Sequence, residues 1–110
     1  MTIQNQLSAP YYAVIFSSIL KQEEDGYDEM AQRMEELASS QSGYLGIESV
    51  RDANGAGITI SYWENLDSIR AWKKNFEHQV AQDLGQSQWY KSYTVKTCRV
   101  EDTYSWNSKT

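Results

Sequence analysis

Histidine and cysteine occur once each in this chain, as His78 and Cys98, and proline occurs once, as Pro10. A single cysteine excludes an internal disulfide and suits a reducing cytoplasm. One histidine and one cysteine do not supply the donor set of a zinc or iron centre, so no bound metal is expected. No run approaches the ~18 consecutive apolar residues of a membrane span. The opening stretch, MTIQNQLSAP, lacks the basic start and apolar run of a secretion signal. Basic residues are also few: ten Lys and Arg against fifteen Asp and Glu leave a net charge of −5. Without a basic stripe, such a chain is a poor partner for nucleic acid, whose binding depends on neutralising phosphate. Phosphate-cradling glycine loops and nucleophile-elbow motifs are missing too.

The 110 residues, 40% of them apolar, suffice for one hydrophobic core and not for two. Four Trp and eight Tyr against two Phe is an unusual aromatic balance. Trp and Tyr suit surfaces that are partly apolar and partly wet, such as pockets and subunit interfaces.

Along the chain, residues 1–10 read as a flexible tail, with Pro10 marking entry to the fold, and residues 107–110 as a second tail. Tyr11 to Ser18, YYAVIFSS, reads as a strand buried on both faces. Tyr27 to Ser40 carries Met30, Met34, Leu37 and Ala38 at helical spacing, and Gly43 is placed to cap that helix. Tyr44 to Arg51 and Gly57 to Trp63 alternate as strands around DANGAG, where Asn54-Gly55 signals a hairpin. In the second of these strands Ile58, Ile60 and Tyr62 share a face, and Gly46 in the first marks a bulge or a close backbone approach. Asn65 caps a second helix with the apolar stripe Leu66, Ile69, Trp72, Phe76, Val80 and Leu84, closed by Gly85. Trp89 to Tyr104 is β-rich.

The order strand, helix, strand, strand, helix, strand is the split βαβ pattern. It predicts an α+β, ferredoxin-like fold: a four-stranded antiparallel sheet with both helices on one face. The other face then needs a cover, and the simplest is a second copy related by two-fold symmetry.

The SYW closing strand three, the AWK inside helix two, and the late WY followed by an RVE strand resemble the antibiotic biosynthesis monooxygenase-like domains. EHQVAQDLG, WYKSY and CRVEDTYSW look like a small stand-alone bacterial branch of that family. The resemblance runs over residues 11–106. It implies a dimeric α+β barrel, a homodimer with a cavity in each subunit between sheet and helices. It also implies one of two activities: oxygenation of a small aromatic or quinol substrate without metal or flavin, or heme binding and cleavage. A non-catalytic dimeric module that binds a small hydrophobic ligand is the third alternative.

Heme-degrading relatives carry a tryptophan and, about ten residues later, a histidine on helix two, with an asparagine on strand one. Here Trp72 is present, but the residue ten positions on is Gln82. His78 lies about one turn earlier, roughly 6 Å along the helix, and strand one has no asparagine. The heme-degrading set is therefore not reproduced; no cofactor is expected, with heme on His78 in a changed geometry as the alternative. His78 reads either as a proton-transfer group or heme ligand facing a cleft or the partner subunit, or as a solvent-facing histidine, roughly 120° around the helix from Trp72. Trp63, Trp72, Phe76 and Tyr93 are the candidate walls of a site for an aromatic molecule, and Arg99 and Arg70 are candidate partners for a substrate anion.

Overall fold

The computed structural model describes residues 7–21, 27–82 and 90–109, excepting the side chains of residues 27–30 and 77–82. Its elements are β1 (Tyr11–Leu20), α1 (Tyr27–Ser39), β2 (Tyr44–Arg51), β3 (Ala56–Trp63), α2 (Leu66–Gln82) and β4 (Tyr90–Val100). The strands form one sheet in the order β2-β3-β1-β4. All three pairings are antiparallel. This is the ferredoxin-like α+β arrangement that the order of elements predicts.

Local chemistry fixes the joints. Between β2 and β3, Asp52 Oδ1 accepts from the backbone N–H groups of Asn54 and Ala56 at 2.9 and 3.0 Å. Gly55, at φ +91°, takes the left-handed position of a three-residue hairpin loop. Gly43 is also left-handed, at φ +85°, and its carbonyl accepts from Glu64 N–H at 2.8 Å. The Asn65 side chain caps α2 by accepting from Ser68 N–H at 2.8 Å. A register shift between Tyr44 and Gly46 sets a bulge at the start of β2.

Two strands have different lengths from those the sequence suggests. β1 continues through Ile19 and Leu20, because β4 and the hairpin loop supply partners there, including Gly55 O for Leu20 N–H at 3.1 Å. β4 stops at Val100, well short of Tyr104. Val100 pairs with Tyr11, the first residue of β1, so residues 101–109 have no strand to join. Leu66, placed on the apolar stripe of helix two, is 39% exposed at the helix start, and Ile69 is the first stripe residue to be buried. Residues 1–6 of the expected N-terminal tail, and Leu84, Gly85 and Trp89, lie outside the described residues.

Pleating gives the sheet two distinct faces. Val14, Phe16, Ser61, Trp63 and Val95 point to the helices. They meet Met34 and Ala38 of α1 and Ile69, Trp72 and Phe76 of α2. On the other face stand Ile15, Ile60 and the exposed Ile19, Val50 and Ile58. That face also holds an edge-to-face pair, Tyr11 and Tyr62, with centroids 5.7 Å apart. The Tyr62 hydroxyl donates to Glu48 at 2.5 Å. Burial, that hydrogen bond and the Glu48 charge all push the Tyr62 phenol above its ordinary value of 10.0.

Two predictions follow from these joints and this pair. An added Cβ at Gly43 collides with the Ser68 side chain, whereas at Gly55 it finds no atom nearer than 3.5 Å. Gly43→Ala should therefore cost more unfolding free energy than Gly55→Ala, about 2 against about 1 kcal/mol in urea titrations. Since the folded state holds the Tyr62 proton more tightly than the unfolded chain does, the stabilisation is complete below about pH 10 and is lost as pH rises through the folded value. Stability of Tyr62→Phe should decline less steeply above pH 10 than that of the parent; equal slopes would remove Tyr62 as the cause.

Candidate functional site

A row of aromatic rings runs through the helix-facing layer. Tyr44 meets Trp63 edge to face at 5.7 Å, and Trp63 meets Trp72 at 5.7 Å. Trp72 lies 5.2 Å from Phe76, one helical turn on, and Phe76 lies 5.6 Å from Phe16 of β1. Phe16 in turn touches Tyr90 and stacks on Tyr93 at 5.3 Å. The contacts of Tyr44 with Trp63 and of Phe16 with Phe76, Tyr90 and Tyr93 have the edge or stacked geometry that ring quadrupoles favour, while the two contacts of Trp72 are tilted.

Beside this row lies a cavity of about 420 Å³ between the sheet and the helices. Its apolar wall is Phe16, Met34, Trp72, Phe76 and Tyr90. Its floor is polar: Ser49, Arg51, Thr59 and Ser61 project from neighbouring positions of β2 and β3. Ser49 and Thr59 share a hydrogen bond of 3.0 Å. A second pocket of about 290 Å³ lies along the β4 side of α2, sharing Phe16, Trp72 and Phe76 with the first and adding Lys73, Tyr93 and Val95.

The two tryptophans of the row are satisfied differently. Trp63 has no solvent exposure, and its indole N–H donates to Ser61 Oγ at 2.9 Å. The Trp72 indole N–H is shielded from solvent and has no hydrogen-bond partner among the described residues. A buried donor left without an acceptor costs about 1–3 kcal/mol.

Arg51 stands where the polar floor meets the sheet edge. Its guanidinium donates to Gly55 O at 2.6 Å and to the buried Ser18 hydroxyl at 2.8 Å. It lies flat across Gly57, where a Cβ would come within 2.6 Å of the guanidinium carbon. Gly57 is thus a glycine because Arg51 occupies the space above it.

Of the residues singled out from the sequence, Trp72 and Phe76 line the 420 Å³ cavity, and Tyr93 lines the adjoining pocket. Trp63 backs the cavity from within the core and does not line it. Arg99 stands on β4 away from these spaces, paired with Glu101 at 3.0 Å, and Arg70 pairs with Asp67 on the exposed side of α2. His78 falls within α2, and its side chain lies outside the described residues. Arg51, Ser49, Thr59 and Ser61 were not singled out. Alternation along β2 and β3 holds the signal, since Ser49 and Arg51 share a face with Ile47, and Thr59 and Ser61 share one with Trp63.

A ferredoxin-like sheet carrying a helix layer over an aromatic-walled cavity defines a class of small α+β ligand-pocket domains. Within that class the chain belongs to the antibiotic biosynthesis monooxygenase family, whose profile matches residues 10–84. It is 52% identical to the uncharacterized protein YqjZ of Bacillus subtilis (strain 168) over 92 residues, 84% of this chain and 81% of that protein. Among solved structures it resembles SnoaB, a cofactor-independent oxygenase from Streptomyces nogalater. The TM-score is 0.70 at 13% identity, over 86% of this chain and 97% of that one. The NE2512 protein of unknown function from Nitrosomonas europaea superposes with a TM-score of 0.68 at 11% identity, over 90% of this chain and 97% of that one.

If the Trp72 N–H is reserved for a ligand, its removal should be inexpensive in the free protein. Trp72→Phe should cost at most about 1 kcal/mol in urea unfolding, whereas Trp63→Phe, which loses a made hydrogen bond and core volume, should cost about 2–3 kcal/mol. Equal costs would make Trp72 an ordinary packing residue.

Proposed function

We propose that this protein is a cofactor-independent monooxygenase for a small aromatic or quinol-type substrate, held between the helices and the sheet. The observation that carries this reading is the 420 Å³ cavity walled by Phe16, Trp72, Phe76 and Tyr90 over a polar floor on β2 and β3. Family membership and the likeness to SnoaB support it. A phenol that loses its proton becomes electron-rich enough to react with O₂ directly. Insertion at the ring carbon para to the hydroxyl gives a quinone and water, with all electrons supplied by the substrate. The protein's part is to bind the ring, favour the anion and exclude bulk water. Phe16, Phe76 and Tyr90 flank the ring, the Trp72 N–H donates to the developing oxyanion, and Arg51 sets a positive potential at the cavity's end.

The working unit in this proposal is a homodimer, sheet against sheet. The support is the run of Ile15, Ile19, Val50, Ile58 and Ile60 on the face without helices. A reducing cytoplasm suits a chain whose single cysteine is an exposed free thiol on β4. No helix among the described residues is long and apolar enough to cross a membrane.

Oxygen-electrode assays of metal-free protein with a panel of quinols and polycyclic phenols test the activity. At least one should give turnover above the uncatalysed rate, and Trp72→Phe should lower kcat on the order of 100-fold, as loss of an oxyanion donor does. Turnover on none of the panel, with Trp fluorescence still quenched by the same compounds, would leave a binding module in place of an enzyme. A Soret band on titration with hemin would point to heme instead.

A further inference from the structure

Ser61 is a polar residue in an apolar layer. It is 4% exposed, with Val14 of β1 and Ile47 of β2 as its cross-strand neighbours. All three line the interlayer cavity, and so does the buried Ala38 of α1. Small side chains at positions 38 and 61 give the cavity its depth, since a larger apolar residue at either would fill the space. The other floor hydroxyls, Ser49 and Thr59, are bonded to each other at 3.0 Å, and Ser49 is exposed. Ser61 is thus the one buried hydroxyl of the floor among the described residues.

The Ser61 oxygen accepts the Trp63 indole N–H at 2.9 Å, and the hydroxyl's own proton goes to no acceptor among the described residues. A serine hydroxyl carries one donor and two acceptor lone pairs. In a chain of hydrogen bonds each polarises the next, so accepting from Trp63 makes the hydroxyl a stronger donor. The same polarisation weakens its oxygen as acceptor for a second incoming proton. Trp63 has no solvent exposure, and its polarity reaches the cavity through Ser61. Ser61 therefore favours a ligand oxygen that accepts, such as an ionised phenol or a carbonyl, over a neutral phenol that donates.

We propose that the Ser61 hydroxyl holds the anionic oxygen of the bound substrate, with the Trp63 N–H behind it as a positioning group. This rests on the reading of the cavity as the site of a small aromatic or quinol, and it adds a residue that touches the reacting oxygen. Trp63 contacts both Ser61 and Trp72, so the two donors stand at the same end of the cavity. No bond is made or broken at Ser61: its proton stays on the hydroxyl and is shared with the phenolate. The cavity then selects the ionised form of the ring, which is the form that O₂ attacks.

The test reads the ionisation of a bound phenol and needs no turnover. The full-length chain is titrated with 4-nitrophenol and with 2-naphthol, whose neutral and ionised forms differ in absorbance or emission, across the ionisation range of each. The parent should bind the phenolate at least tenfold more tightly than the phenol, moving the probe's ionisation midpoint down by about one pH unit or more. Ser61→Ala should lose most of that preference while circular dichroism shows the fold retained. If the alanine chain does not fold, Ser61→Cys decides, because a thiol fills the space but donates weakly. Trp63→Phe keeps the hydroxyl and should show a smaller preference than the parent; an undiminished one would remove Trp63 from the proposal. Equal affinity for both forms in the parent, or a preference that survives loss of the Ser61 hydroxyl, overturns the role of Ser61 and leaves the aromatic site standing. A parent that binds neither probe in either form overturns the reading of the cavity, and this inference with it.

Discussion

The placement of the Trp63 indole is the constraint on which the helix layer depends. It is the one large side chain among the described residues with no solvent exposure, and it sits at the last position of β3. Tyr44 closes it on one side and Trp72 on the other, while Val14, Ala38 and Ile69 complete its surroundings. Its N–H is spent on Ser61, two residues earlier on the same strand. A ring so fully enclosed permits few rotations of α2 about its axis. The chain enters α2 three residues after Trp63, through the Asn65 cap. Trp72 consequently arrives over the sheet with its own N–H away from every protein acceptor described. The core residue and the cavity residue are adjacent tryptophans with divided tasks, one satisfied and fixed, the other fixed and unsatisfied.

The division extends to the sheet. Every strand places one set of side chains against the helices and another on the free face, so a single antiparallel sheet serves two surfaces. The helix-facing set combines rings with a polar strip on β2 and β3. The free set carries the β-branched cluster Ile15, Ile19, Val50, Ile58 and Ile60, with the Tyr11–Tyr62–Glu48 group at one end and a depression around Ile58 at the other. A cavity needs some polar atoms to orient its ligand, whereas a sheet-on-sheet interface is served by apolar shape. Alternation alone gives this sheet a partly polar helix-facing side and a free side with an exposed apolar cluster.

This explains how much of the fold the sequence discloses. Element order and the free-face trio Ile58, Ile60 and Tyr62 follow from local periodicity, and the Asn65 cap and the Asn54-Gly55 loop from local backbone chemistry. The end of β4 does not, because a strand ends where its neighbour does, and Tyr11 is 89 residues away in sequence from its partner Val100. Trp63 and Trp72 look alike in sequence as aromatic residues on packing faces. Only three-dimensional enclosure separates the one that fills the core from the one that lines a cavity. Arg99 attracts notice as a cation among aromatic residues, yet its pairing with Glu101 holds it at the surface.

Arg51 illustrates the harder limit. Read locally, it is a charged residue ending a strand before a polar turn, the usual setting of a solvated side chain. Its role comes from register. Pairing β2 with β3 sets Arg51 opposite Gly57, the one residue type that leaves room for a guanidinium to lie on the backbone. Pairing β1 with β3 sets Ser18 on the other side of Gly57 and within reach, and the left-handed turn at Gly55 aims a carbonyl at the same group. Three separate backbone events thus converge on one cation, and only the turn is visible from the residues near it. The same convergence places the charge at the boundary between the interlayer cavity and the free face. Arg51 lines both the cavity and the depression, so a charge placed in either alters the potential felt in the other.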